Sequence, residues 1–357
     1  MQSKPTHFYW LDLLRFIAAF AVVMCHFRGA FFVDYTSLPV EQQTCANFGF
    51  YAFTRLGQEA VLIFFALSGF LVGGRSIEKM CQGTFQGRNY AIDRFVRIML
   101  PLASALLLYI PVTIWRDADI EWVNWTGCWF SLQGIYTSAC IEPLWSLSYE
   151  VWFYIIVLGI YLAIHQKWGG YFILIVCCLV FTKLQTHYLL IWILGAFAYI
   201  VRPLRFSFPV FWLSLSGICG MVVILQYTSG GHVSAAWTSL LPTQNRQSLE
   251  VIYSIFCCLF IQQLILLEPK NAILRGINVW GTKMAAFSYT LYLAHILVLR
   301  SLEHLGAPKS ENINAHSIGL WICWLLAALA VCYVLYLCFE KHTQVVKNRI
   351  KAFYKTN

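Results

Sequence analysis

The stretch LDLLRFIAAFAVVMCHFRGAF, Leu11–Phe31, decides how the rest of the chain is read. Its apolar run is long enough to cross the hydrocarbon core of a bilayer, which takes about 20 helical residues. Yet it carries Asp12, Arg15 and His26. Ionisable groups inside a span are costly and by default mark function. Arg15 and His26 are eleven positions apart. At roughly 100° per residue they return to within about 20° of one helix face, about 16 Å apart along the axis. Bland readings stand beside this one. Arg15 can snorkel to the headgroups, and His26 can be a hydrogen-bonded packing residue. Asp12, one turn before Arg15, either neutralises it or acts directly.

Working outward, the 357 residues are 59% hydrophobic and 11% charged, against about 25% charged in a soluble domain. The expected fold class is therefore an all-α polytopic membrane protein. Ten segments are long or apolar enough to cross: 8–32, 49–74, 95–115, 145–165, 170–184, 187–201, 208–228, 249–268, 284–302 and 317–339. The fifth and sixth are short and read as a tight helical hairpin. With a cytoplasmic N-terminus, one side collects Lys4, then Arg75, Lys79, Arg88, Arg94 and Arg97, then Lys167, Arg202 and Arg205. Lys270, Arg275 and Lys283 follow, with a basic tail over 341–357. The other side holds fewer, among them Arg55, Arg116, Arg246 and Lys309. This positive-inside bias places both termini in the cytoplasm. The net charge of +9 thus reads as an orientation signal with anionic lipid as neighbour, not as a nucleic-acid surface. The N-terminal run is too long for a cleavable signal peptide and lacks a cleavage site, so the first span is expected to be retained.

Other groups fall at useful depths. Glu150, in PLWSLSYEVWFYI (Pro143–Ile155), lies about 9 Å below the outer end of span four, and His26 about 9 Å below that of span one. A carboxylate beside an imidazole fixes its tautomer and stabilises its charged form, so the pair is expected to meet unless Glu150 serves another polar group. Ser68, beside Gly69 near mid-span, either lets helices approach closely or binds substrate. His295 in span nine is either a second catalytic or binding group or a packing histidine. Arg94 and Arg97 share one side of a helix start, where positive-inside bias and phosphate binding explain them equally. The 116–144 loop is acidic and rich in tryptophan, suited to the membrane surface or to a sugar. It also holds Cys128 and Cys140, a disulfide only if the loop faces an oxidising compartment. No cysteine spacing suggests a metal site, and the sequence leaves the oligomeric state open.

In order, LDLLR with the Arg15–His26 spacing, FFALSGFLV, RFVRIMLP, LWSLSYEVWFY, SYTLYLAH and the late FEK (Phe339–Lys341) resemble the signatures of the membrane-bound acyltransferase 3 family. The match spans nearly the whole chain. The resemblance implies a ten-helix catalytic domain over 1–340 in a bacterial inner membrane. It takes acyl groups, usually acetyl, from cytoplasmic acyl-CoA and passes them to an exported cell-surface glycan such as lipopolysaccharide O-antigen. Acetyl-CoA is then a substrate and no cofactor is needed. The chain resembles a stand-alone member without an SGNH domain. The carried-over roles are His26 as general base oriented by Glu150, with Arg15, Arg94, Arg97 and, less directly, Ser68 on the acyl-CoA. Direct attack by the sugar hydroxyl competes with a transient acyl-histidine. Ser68, Tyr149 or backbone groups are the candidate oxyanion donors. Lys341-His342 departs from the family, where proline often follows the FE. A transporter or flippase is the rival class; it predicts inverted repeats and broken helices, and neither is evident in the sequence.

Overall fold

The computed structural model describes residues 7–229, 245–269, 271–306 and 309–356. Lys4 and Lys270, both counted above toward one side, lie outside the described residues. Among the described residues there is helix and no strand, only two isolated bridges. That is the expected solution in lipid, where every backbone polar group must be satisfied within its own segment.

The helices are α1 (Tyr9–Phe31), α2 (Cys45–Thr54), α3 (Gly57–Ser68), α4 (Arg75–Cys81), α5 (Gly87–Trp115), α6 (Trp122–Trp129), α7 (Leu144–Ile164) and α8 (Trp168–Phe181). They continue as α9 (Thr186–Ile200), α10 (Phe208–Ser229), α11 (Arg246–Leu264), α12 (Ala272–Ala285), α13 (Ser288–His304), α14 (Ala315–Cys338) and α15 (Thr343–Thr356). Among the described residues, seven helical segments are long and apolar enough to cross a membrane. The pair α12 and α13 passes that test together as a broken helix, and α8 and α9 are shorter apolar helices. Each of the ten apolar segments read from the sequence falls on one of these.

Two compact units form. One comprises Met1–Ala18, Gln58–Thr84 and Gln185–Ala285. Within it α9 packs on a π-helical turn, Gly69–Gly74, that joins α3 to α4. A Cβ on Gly69 would lie 2.0 Å from the Trp192 carbonyl oxygen, and one on Gly195 would lie 2.2 Å from that of Ala66. Only glycine permits this crossing, as small residues do between membrane helices. In the same unit α11 packs on α9 and α10.

The second unit comprises Ala19–Gly57, Phe85–Leu184 and Ala286–Asn357. In it α13 packs on α5 and α14, and α7 packs on α8. α13 is buried along nearly all its length, from Ser288 to Leu299. α14 starts with a reciprocal capping box between Asn314 and Ser317, which satisfies two orphan donors of its first turn. The segment read as a basic tail is the helix α15, packed on α5.

Candidate active site

His26 lies in the last third of α1. Its Nδ1 is 3.9 Å from Oε2 of Glu142, with the two side chains 33% and 65% exposed. Its ring centroid is 5.3 Å from that of His295 on α13. His295 is fully buried. Its Nδ1 lies 3.0 Å from the Leu291 carbonyl. A carbonyl can only accept, so Nδ1 carries the proton and Nε2 of the neutral ring keeps its lone pair. That Nε2 is buried and has no hydrogen-bond partner among the described residues. A buried acceptor left unpaired is costly, so it marks a place where a donor is missing. Beside it, Tyr292 stands with its ring centroid 6.3 Å from that of His295. The Tyr292 hydroxyl shares a 2.7 Å hydrogen bond with that of Ser146 on α7. The site is thus built from α1, α13 and the start of α7, all within one unit.

The expected meeting of Glu150 with His26 does not occur. Among the described residues, the carboxylate beside His26 is that of Glu142, in the loop just before α7. Glu150 accepts a short hydrogen bond from the hydroxyl of Tyr154. It lies within electrostatic reach of Tyr90, Tyr289 and Tyr292. The depth match read from the sequence fixes a position along the helix axis but not the direction around it. Glu150 turns to its own i+4 neighbour, a standard pairing on a helix face. Tyr154 in turn lies under the Arg94 guanidinium, 5.5 Å from ring centroid to cation. Glu150 therefore belongs with the arginine end of α5 rather than with the imidazole.

Arg94 and Arg97 are brought to one side of α5 as expected. Nε of Arg94 is buried without a hydrogen-bond partner, and neither arginine makes an ion pair with a carboxylate among the described residues. Arg15 and Asp12 pair at 3.4 Å, and the second oxygen of Asp12 is 2.6 Å from Nε2 of His7. Asp12 thus offsets the charge of Arg15. Ser68 accepts a 3.2 Å hydrogen bond from the Trp192 indole beside the Gly69 crossing. Tyr149 is buried, edge-on to Trp145 and tilted against Phe153. Among the described residues no group of His, Cys, Asp or Glu is arranged to hold a metal ion.

Cys128 and Cys140 come together in the 116–143 segment, Sγ to Sγ 3.4 Å, as buried free thiols. The Cys140 thiol donates to Cys128 and holds the Cys128 thiol below the ordinary cysteine range; the same bond pushes Cys140 up.

Glu142 and the Tyr292–Ser146 pair were not singled out in the sequence. Glu142 stands directly before Pro143 in a loop that opens a span. The signal that finds it is a carboxylate at a span mouth, where it reaches a neighbouring helix without being buried.

The model of a family described as an acyltransferase domain matches residues 8–337. No curated protein and no solved structure matches the chain.

Proposed function

Because the chain belongs to the acyltransferase 3 family and is a multi-pass membrane protein with acyltransferase character, we propose that it moves an acetyl group from cytoplasmic acetyl-CoA to a hydroxyl of an exported cell-surface glycan. Lipopolysaccharide O-antigen in a bacterial inner membrane is the acceptor and setting we favour, with ten spans and both termini cytoplasmic.

The observation that carries this reading is the His26–His295 pair, 5.3 Å apart, with one buried ring nitrogen left open on His295. With Nδ1 of His26 toward Glu142, Nε2 is the nitrogen available as general base. The acceptor hydroxyl gives its proton to that Nε2 while its oxygen attacks the thioester carbon. The new C–O bond forms, the C–S bond breaks, and the proton passes from the imidazolium to the departing thiolate. Glu142 stabilises the imidazolium across a solvated gap. Nε2 of His295 accepts a hydrogen bond from the same hydroxyl or its neighbour and aims it. Arg94 and Arg97 hold the phosphate-bearing end of the donor.

The experiment is to reconstitute the protein in vesicles with acetyl-CoA labelled in the acetyl group. Label should appear in the surface polysaccharide, and mass spectrometry of that polysaccharide with and without the gene should differ by acetyl esters. Label that crosses the membrane without forming an ester would instead mark a transporter.

A further inference from the structure

α15 presents an unusual inward face. Thr343, Val346, Lys347, Ile350 and Lys351 are its half-buried positions, while Gln344, Val345, Asn348, Arg349 and Ala352 are exposed. The i, i+3, i+4, i+7, i+8 spacing is that of an amphipathic helix packed by one stripe, but two of the five stripe positions are lysines. Both turn to Asp93 on α5. Nζ of Lys351 is 2.8 Å from Oδ1 of Asp93, a hydrogen-bonded ion pair. Nζ of Lys347 is 3.9 Å from the same oxygen, beyond hydrogen-bond distance. Yet the Lys347 side chain is only 13% exposed, and the charges of Arg94, Arg97 and Lys351 all act on it.

Three other cations, Arg94, Arg97 and Lys351, thus act on Lys347, and the carboxylate beside it, Asp93, is already engaged by Lys351. Two other carboxylates act on Tyr289 alongside Arg97, namely Glu150 and Glu340. Glu150 is engaged by Tyr154, and Glu340 accepts from the Thr290 backbone N–H and hydroxyl at 3.1 and 2.6 Å. Arg97 is exposed, but Arg94, Lys347 and Lys351 are half-buried, and gathering like charges away from water is unfavourable unless an anion joins them. The buried, unpartnered Nε of Arg94 independently marks a missing acceptor at the same place.

We infer that α15 completes the donor-phosphate site. Lys351 clamps the helix to α5 through Asp93, and Lys347 binds a phosphate of the incoming acyl-CoA together with Arg94 and Arg97. This inference rests on the proposed acetyl-CoA reading. The shared chemistry, a phosphate ester, also occurs in lipid headgroups, so the test separates the two sources.

The test compares acetyl-CoA with S-acetylpantetheine, which carries the same thioester arm without the nucleotide phosphates. Both are assayed as donors with the full-length protein in vesicles of pure phosphatidylcholine, and in equal parts phosphatidylcholine and phosphatidylglycerol. Lys347→Gln should raise KM for acetyl-CoA about tenfold, the size of one charge-assisted hydrogen bond. It should leave kcat within about twofold and KM for S-acetylpantetheine unchanged. Arg349→Gln removes the same charge from the exposed face of the same helix and should change neither. Equal losses with both donors would make Lys347 structural and overturn the inference. Equal effects from Lys347→Gln and Arg349→Gln, or an effect confined to the anionic vesicles, would assign the anion to lipid and also overturn it. Should the unaltered protein use neither donor, the acetyl-CoA reading falls first and the inference with it. Normal use of acetyl-CoA by Lys347→Gln would remove the inference alone.

Discussion

Two of the histidine–carboxylate pairs among the described residues stand in opposite settings. His187 on α9 and Glu250 on α11 meet at 2.9 Å, with side chains 7% and 4% exposed. Arg246 closes the other oxygen of Glu250 at 3.0 Å. His26 and Glu142 stand 3.9 Å apart and keep access to solvent. In the first pair Nε2 of His187 must donate, because an ionised carboxylate only accepts, and both carboxylate oxygens are occupied, while Nδ1 of His187 is buried without a partner among the described residues. These contacts lock α9 to α11. The second is loose, and its imidazole faces a second histidine with an open nitrogen. Short distance and deep burial suit a structural pair, and looseness suits the chemical role proposed for His26.

The largest effect expected from breaking this contrast is on activity. His26→Ala should lower acetyl transfer by about 10²–10⁴-fold, the usual share of a general base, at normal expression. Full activity in that variant removes the mechanism. Glu250→Ala should act on stability instead. Removing one partner of a buried pair costs about 3–5 kcal/mol, read as a lower melting temperature in detergent. Its kcat, measured on whatever remains folded at low temperature, should be near that of the unaltered protein. A Glu250→Ala protein that melts normally but cannot transfer would move the chemistry to the wrong pair.

Smaller effects sharpen the assignment of the carboxylates. Glu142→Gln should lower kcat about three- to tenfold with little change in KM for the donor, in keeping with an exposed, loosely held charge. Glu150→Gln should act mainly on donor KM, through Tyr154 and Arg94. If kcat falls with Glu150→Gln and not with Glu142→Gln, the depth-matched pairing read from the sequence is the working one. The smallest effect belongs to Cys128 and Cys140. Because Cys128 is held below the ordinary thiol range, its thiolate forms at lower pH than that of a free cysteine. Since exchange is driven by thiolate, mild oxidation should still bridge the pair below the usual thiol pH range, with transfer activity unchanged. A non-reducing peptide map, taken as a function of pH, checks this.

Much of the fold was legible because lipid imposes one strong rule. A segment that crosses must be helical and apolar, and each of the ten apolar segments has its helix. The site was legible in parts. His26 stood out as an ionisable group where such groups are expensive, and Arg94 and Arg97 as a pair at a helix start that positive-inside bias and phosphate binding explain equally. The partner of His26 did not. Rise per residue gives depth, and Glu150 has the right depth, but the direction of a side chain around α7 depends on how that helix packs. The lysines of α15 were read only as net charge, since a basic tail looks the same whether it floats in solvent or turns two residues inward.

By itself, then, the sequence determined the helical class, the approximate spans and the costly residues, because all three follow from transferring single groups between water and lipid. Tertiary structure decided which carboxylate meets His26, that His295 turns an open nitrogen toward the same place, and that Lys347 joins Arg94 and Arg97. Each of these is a meeting between helices distant in the chain, set by rotation and packing that no local pattern encodes.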